Sequence, residues 1–178
     1  MKIISDSKTQ TFKNVLSGIL KLELEKGHLK WKFTDLARVS GVQRTLIYYY
    51  FGSDRKELVD AAVKMISEDF FGLPRGKFRR DFVTAISETR KLIEEAPHIL
   101  QFYLKWRYTS SPIGEQLRNF EINYKSRLKL TFPHLGGDML DSIFALIFGL
   151  VCIPEISPQA IQIATHSLLQ IIPESVFR

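Results

Sequence analysis

The amino-acid sequence predicts an all-α protein with a short-helix front and a longer-helix back, and three observations carry that expectation. Apolar residues repeat at spacings of three and four, as in Phe12, Val15, Leu16, Ile19 and Leu20, and again in Ile99, Phe102, Tyr103 and Trp106. Apolar and polar residues alternate only over Leu29 to Phe33, a stretch bounded by helical patterns that reads as a turn rather than a strand. Breakers then cut the chain into helix-sized pieces: Gly27, Gly41, Gly52, Gly72-Leu73-Pro74, Pro97, Ser111-Pro112, Pro133 with Gly136-Gly137, Pro154, Pro158 and Pro173.

Taken in order, these signals predict a first helix from about residue 8 through 13 and on to residue 26, closed by Gly27. A short helix over 34–40 ends at Gly41, and a second over 43–50 ends before Gly52. A longer helix over 54–71 runs up to Gly72-Leu73-Pro74. Behind it follow 77–95, 97–109, 112–131, 138–152 and 158–171, each bounded by one of the prolines or glycines above. The domain reading is a front of residues 1–56, a connecting helix at 57–73 and a back of 74–178.

Composition bounds the function. The chain has 178 residues, 45% of them hydrophobic and 25% charged, enough to bury a sizeable core without a staple. The lone Cys152 cannot form an internal disulfide. The start, MKIISDSKTQ, is interrupted by Ser5, Asp6 and Lys8 and has no apolar signal core, so a cytoplasmic location is expected. The most apolar stretch, Met139 to Ile153, carries Asp141 and falls short of the roughly 20 apolar residues a bilayer requires, which makes it a buried helix and leaves no membrane role. There is no glycine-rich phosphate loop, no HExxH and no cysteine cluster, and His28, His98, His134 and His166 lack ligand spacing, so neither catalysis nor a metal or cofactor is expected. Charge is uneven along the chain. Residues 26–56 hold seven Lys or Arg against two acids, and Arg75, Lys77, Arg79 and Arg80 follow. After Lys129 the next cation is Arg178, while Asp138, Asp141, Glu155 and Glu174 lie between. An anion-seeking front is the consequence.

Within that front, Thr34-Asp35-Leu36-Ala37-Arg38-Val39-Ser40-Gly41-Val42 reads as a short helix and a turn, with another short helix following at once. This is the helix-turn-helix layout. Leu36, Ala37, Val42 and Ile47 form its expected core, and Gly41 is free to take positive φ. Here the sequence resembles the TetR family of bacterial transcriptional regulators. The resemblance rests on Phe33-Thr34-Asp35-Leu36-Ala37, Gly41-Val42, Ile47-Tyr48-Tyr49-Tyr50-Phe51 and Glu57-Leu58, and spans about residues 8 to 60.

The resemblance implies a reader of double-stranded DNA whose helix 43–50 enters the major groove. Gln43, Arg44 and Thr45 stand in its first turn, where base contacts are made; Arg44 suits guanine and Gln43 adenine. Tyr48 and Tyr49 face outward to phosphate or base edges, whereas Tyr50 flanks the apolar side. Lys32 and Thr34 lie where the duplex backbone passes, and either Arg55 or Lys56 matches the family's phosphate-contacting lysine. Three departures stand out. Leu46 replaces a common Thr or Ser; Lys32 replaces a frequent capping Thr, which shifts the expected cap to Thr34; and one extra residue lies between Phe51 and Leu58.

One reader covers few base pairs, so a symmetric partner is expected. Helices 138–152 and 158–171 are nearly free of positive charge and are either a buried hairpin or half of an intermolecular four-helix bundle; the resemblance favours a homodimer through them. In the family the intervening helices enclose an effector pocket, which implies a small apolar or aromatic effector touching residues such as Phe82, Ile86, Arg90, Phe102, Tyr103, Trp106, Phe120 and Tyr124. The function so implied is a ligand-responsive repressor acting as a homodimer on a palindromic operator. The alternative is an interaction protein that keeps the fold without specific DNA binding.

Overall fold

A computed structural model describes residues 3–69, 78–153 and 155–171, and among these every regular element is helical. In chain order they are α1 (Ile3–Lys26), α2 (Phe33–Ser40), α3 (Arg44–Phe51), α4 (Arg55–Asp69), α5 (Phe78–Glu95), α6 (His98–Trp106), α7 (Pro112–Thr131), α8 (Gly137–Cys152) and α9 (Pro158–Ile171). The all-α expectation therefore holds, with no strand among the described residues. Gly72-Leu73-Pro74, Arg75, Lys77, Pro154 and Pro173 lie outside the described residues, as do the side chains of Phe78, Arg79, Arg80 and Phe82.

The described helices gather into two compact units that do not follow chain order. One comprises Met1–Glu68 with Ala96–Leu117, the other Asp69–Glu95 with Arg118–Arg178. Residues 96–117, which the sequence reading assigns to the back domain, thus cluster with the front. The reason is packing: α6 lies against α1 and buries Ile99, Phe102 and Tyr103 almost completely. Such a long-range match leaves no mark in local periodicity.

In the first unit α1 is the spine. Val15, Ile19, Leu20 and Leu22 are fully buried, joined by Trp31, Leu36 of α2, Ile47 of α3, and Leu58, Val59, Ala62, Val63 and Ile66 of α4. Each large aliphatic side chain so enclosed contributes about 1.5–3 kcal/mol. A charge at Ile47 would therefore undo α3 as a packed element.

The helix expected over 97–109 stops at Trp106, and the cause lies downstream. Thr109 turns its amide (3.0 Å) and hydroxyl (2.7 Å) back to the Trp106 carbonyl, and the start of α7 presses onto this turn at Gly114. A Cβ at Gly114 would overlap the Thr109 carbonyl and sit 2.7 Å from the Trp106 carbonyl. Only glycine permits this approach of two backbones.

In the second unit α5 packs on α8, enclosing Ile86 and Ile93 together with Leu140, Ile143, Leu150 and Val151. Arg90 closes the C-terminal end of α8. Its Nη1 donates to the carbonyls of Leu150 (2.6 Å) and Ile153 (3.0 Å), and its Nη2 to that of Ile156 (3.4 Å). A cation that satisfies orphan carbonyls at a helix C-terminus also meets the negative end of the helix dipole.

Candidate nucleic-acid interface

The site begins in the turn between α1 and α2. Glu23, fully buried in α1, accepts hydrogen bonds from the Leu29 amide (2.9 Å), the Trp31 indole (2.6 Å) and the His28 ring (2.8 Å). Leu29 takes φ 56°, a left-handed conformation uncommon for a branched side chain. From α4, Arg55 Nη1 donates to the carbonyls of Leu29 (2.7 Å) and Trp31 (2.9 Å). Both faces of the turn are thereby tied down.

Next comes the start of α2, where the structure corrects one expectation. The N-cap is Lys32, not Thr34, and the helix opens at Phe33. Asp35 supplies the missing acceptor: its Oδ2 receives the Lys32 amide at 2.9 Å and the Lys26 ammonium at 2.7 Å. The Lys26 hydrogen bond, then the Lys32 amide, hold the Asp35 carboxyl below the usual carboxylate range. A carboxylate three residues into a helix thus does the work that a capping hydroxyl does elsewhere, and leaves the Thr34 hydroxyl out of the cap.

Between α2 and α3, Gly41 adopts φ 68°, as its expected role at the turn requires. Ser40 stitches the same corner, donating to the Leu36 carbonyl at 2.7 Å and accepting the Val42 amide at 3.3 Å. Leu36, Val42 and Ile47 are buried beneath it.

The three tyrosines of α3 then separate. Tyr50 turns inward, its ring 5.3 Å from Phe12 and beneath the Lys8 ammonium at 5.4 Å. Tyr49 is 80% exposed. Tyr48 lies between: its ring rests on Phe33 at 4.6 Å, its hydroxyl accepts from Arg44 at 3.4 Å, and the guanidinium sits 5.8 Å from the ring centre. Arg44 and Tyr48 are one turn apart, so each holds the other in a defined pose.

Lys32, Phe33, Thr34, Arg44, Tyr48 and Arg55 together line an open groove of about 310 Å³. Five of the nine residues assigned to DNA from the sequence therefore meet at one place, across three helices and a turn. The other four, Gln43, Thr45, Tyr49 and Lys56, are exposed but do not line the groove. The groove contains three cations and two hydroxyl-bearing side chains, and among the described residues no carboxylate lines it. Such a lining suits a phosphate-bearing chain, because charge and donors are already assembled. Of the two candidates at the start of α4, Arg55 lines it and Lys56 does not.

Two residues that support the site carry no local sequence signal. Phe33 lines the groove and backs the Tyr48 ring at 4.6 Å, a contact that the separation of the two residues in sequence does not reveal. Glu23, outside the groove, is one of several charges in the run KLELEK, and only its buried position sets it apart.

The residues assigned to an effector are divided between the two units. Phe102, Tyr103 and Trp106 belong to the first unit, whereas Ile86, Arg90, Phe120 and Tyr124 belong to the second, and the Phe82 side chain lies outside the described residues. Ile86, Phe102, Tyr103 and Tyr124 are buried, and burial pushes the Tyr124 hydroxyl well above its usual range. Arg90 is committed to the end of α8. Burial likewise pushes the Cys152 thiol up to about 12, which makes it a poor nucleophile.

On α8 and α9 several large apolar side chains reach solvent: Met139 (40% exposed), Leu146 (37%) and Ile163 (68%), with Ile153 (48%) just past α8. No charged residue occurs in α9. Among the described residues no helix is long and apolar enough to cross a membrane. No protein-family model matches the chain, and neither does any curated protein.

Proposed function

We propose that the protein is a sequence-specific DNA-binding transcriptional regulator, with α2 and α3 as its helix-turn-helix and α3 as the helix that enters the major groove. The observation that carries this reading is the convergence of Lys32, Thr34, Arg44, Tyr48 and Arg55 on one groove. Lys32, Thr34 and Arg55 donate to backbone phosphates, Arg55 rather than Lys56 taking the first turn of α4. Arg44, held by Tyr48, sits at the junction between backbone and base edges, and Gln43, Thr45 and Tyr49 extend the contact along α3.

Specificity at this size calls for two readers, and the partly exposed apolar side chains of α8 and α9, helices without Lys or Arg, favour a homodimer through them on a palindromic operator. The sense of regulation expected from the resemblance is repression relieved by a small apolar or aromatic effector. Such a ligand acts by its preference between two arrangements of the reading heads. The residues the resemblance offers for its pocket include Phe120 and Tyr124 of the second unit.

Selection of bound sequences from a random duplex pool at physiological salt tests the reading. A palindrome enriched by the wild type and lost in both Arg44→Ala and Tyr48→Ala supports it. Enrichment of no sequence sinks it and favours an interaction protein that uses the exposed faces of α8 and α9.

A further inference from the structure

We infer that Glu23 is the positioning residue of the groove, acting through the α1–α2 turn on Arg55. This rests on the regulator reading above and adds to it a residue that itself touches no DNA.

A carboxylate with no exposure is costly in an apolar helix face unless its oxygens are filled with donors. Glu23 lies between Leu22 and Leu24 and one turn past Leu20 and Ile19, where an apolar side chain would pack at lower cost. Its oxygens are filled instead by three groups of a single turn: Oε1 by the Leu29 amide and the Trp31 indole, Oε2 by the His28 ring. That arrangement holds Leu29 at φ 56° and turns the carbonyls of Leu29 and Trp31 toward α4. Both carbonyls take Arg55 Nη1. Arg55 is otherwise exposed and lines the groove. The same turn leads directly to Lys32, the N-cap of α2 and another member of the lining. Glu23 thus sets two cations in place through one loop. A flexible arginine on an exposed helix start loses rotamer freedom when it binds; this one is already held.

The test is a double-mutant cycle on the full chain, with the enriched duplex as probe. Glu23→Leu and Arg55→Ala are each expected to lower specific affinity about tenfold and to reduce the slope of log affinity against log salt by about one. The double variant is expected to be within about twofold of either single, because both break the same relay. Glu23→Gln keeps Oε1 as the acceptor for the Leu29 amide and the Trp31 indole, and is expected to stay within about threefold of wild type. Additive losses with an unchanged salt slope would overturn the proposal by reducing Glu23 to a structural role.

A second readout needs neither DNA nor a stable Glu23→Leu. In Arg55→Ala, hydrogen exchange at the Leu29 amide is expected to rise about tenfold as the brace on the turn is lost. Unchanged exchange overturns the relay. Failure of the wild type to enrich any sequence counts against the regulator reading, while the exchange measurement still decides the link between Glu23, the turn and Arg55.

Discussion

Helices α3 and α9 both display large side chains to solvent, yet they do so in different chemical company. On α3 the exposed rings have polar tips and cations beside them: Tyr48 carries Arg44 against its hydroxyl, and Lys32 and Arg55 line the same groove. On α9 the exposed Ile163 stands in a helix with no Asp, Glu, Lys or Arg, beside Gln162 and Ala164. An aromatic with a hydrogen-bonding edge next to fixed cations matches a polyanion. A bare aliphatic on an uncharged face matches another apolar surface. The amount of exposed apolar surface says little about its partner; the neighbouring groups say a great deal.

The largest expected effect breaks the comparison at α3. Arg44→Ala lowers affinity for the enriched duplex by about 10- to 100-fold, as expected for one good base contact, and Tyr48→Ala matches it by releasing Arg44. Fluorescence anisotropy at physiological salt measures both. A loss confined to non-specific binding would mean that α3 senses charge alone.

At α9 the corresponding change is Ile163→Asp, combined with Leu146→Asp on α8. Burying two carboxylates in a self-association surface is expected to convert a dimer to monomers in sedimentation while helicity stays intact. A dimer that persists would move the symmetric contact elsewhere on the chain.

A smaller effect sharpens the comparison by separating surface from support. Gly114→Ala puts a methyl against the carbonyls of Trp106 and Thr109, neither of which can step aside as a flexible side chain would. A cost of about 2 kcal/mol, seen as a fall of about 4–8 °C in Tm, is expected. Because Gly114 is remote in sequence from the groove, duplex affinity measured well below Tm should change little.

The smallest effect is on pH. His98 bonds to Ser17 at 2.7 Å, joining α6 to α1, and burial depresses its pKa below the usual 6.5, with Lys21 adding to the effect. A base with a depressed folded pKa is neutral in the fold and takes up its proton more readily when unfolded. Its effect on stability is therefore absent above pH 6.5 and becomes a loss as pH falls below that value toward the folded pKa. A modest decline in Tm between pH 7 and 5 is expected, and His98→Gln should flatten it. An identical decline in the variant would assign the effect to other groups.

The sequence by itself determined the helices, the turn at Gly41 and the outward set of cations and phenols. These depend on local rules: apolar spacing of three and four, glycine where φ must be positive, and charge kept at the surface. It also separated Tyr50 from Tyr48 and Tyr49, because 100° per residue allows only one of the three to lie beside the Ile47 face. The tertiary structure alone decided which of those groups meet. Arg55 lines the groove because the carbonyls of Leu29 and Trp31, more than twenty residues earlier, hold its guanidinium. Asp35 caps α2 because Lys32 and Lys26 converge on it, Arg90 closes α8 rather than standing free for a ligand, and α6 joins the front because its apolar face fits α1. Periodicity reports the face a side chain is on. The partner on that face is set by chain segments far away in sequence, and a buried carboxylate such as Glu23 shows its purpose only once its three donors are in place around it.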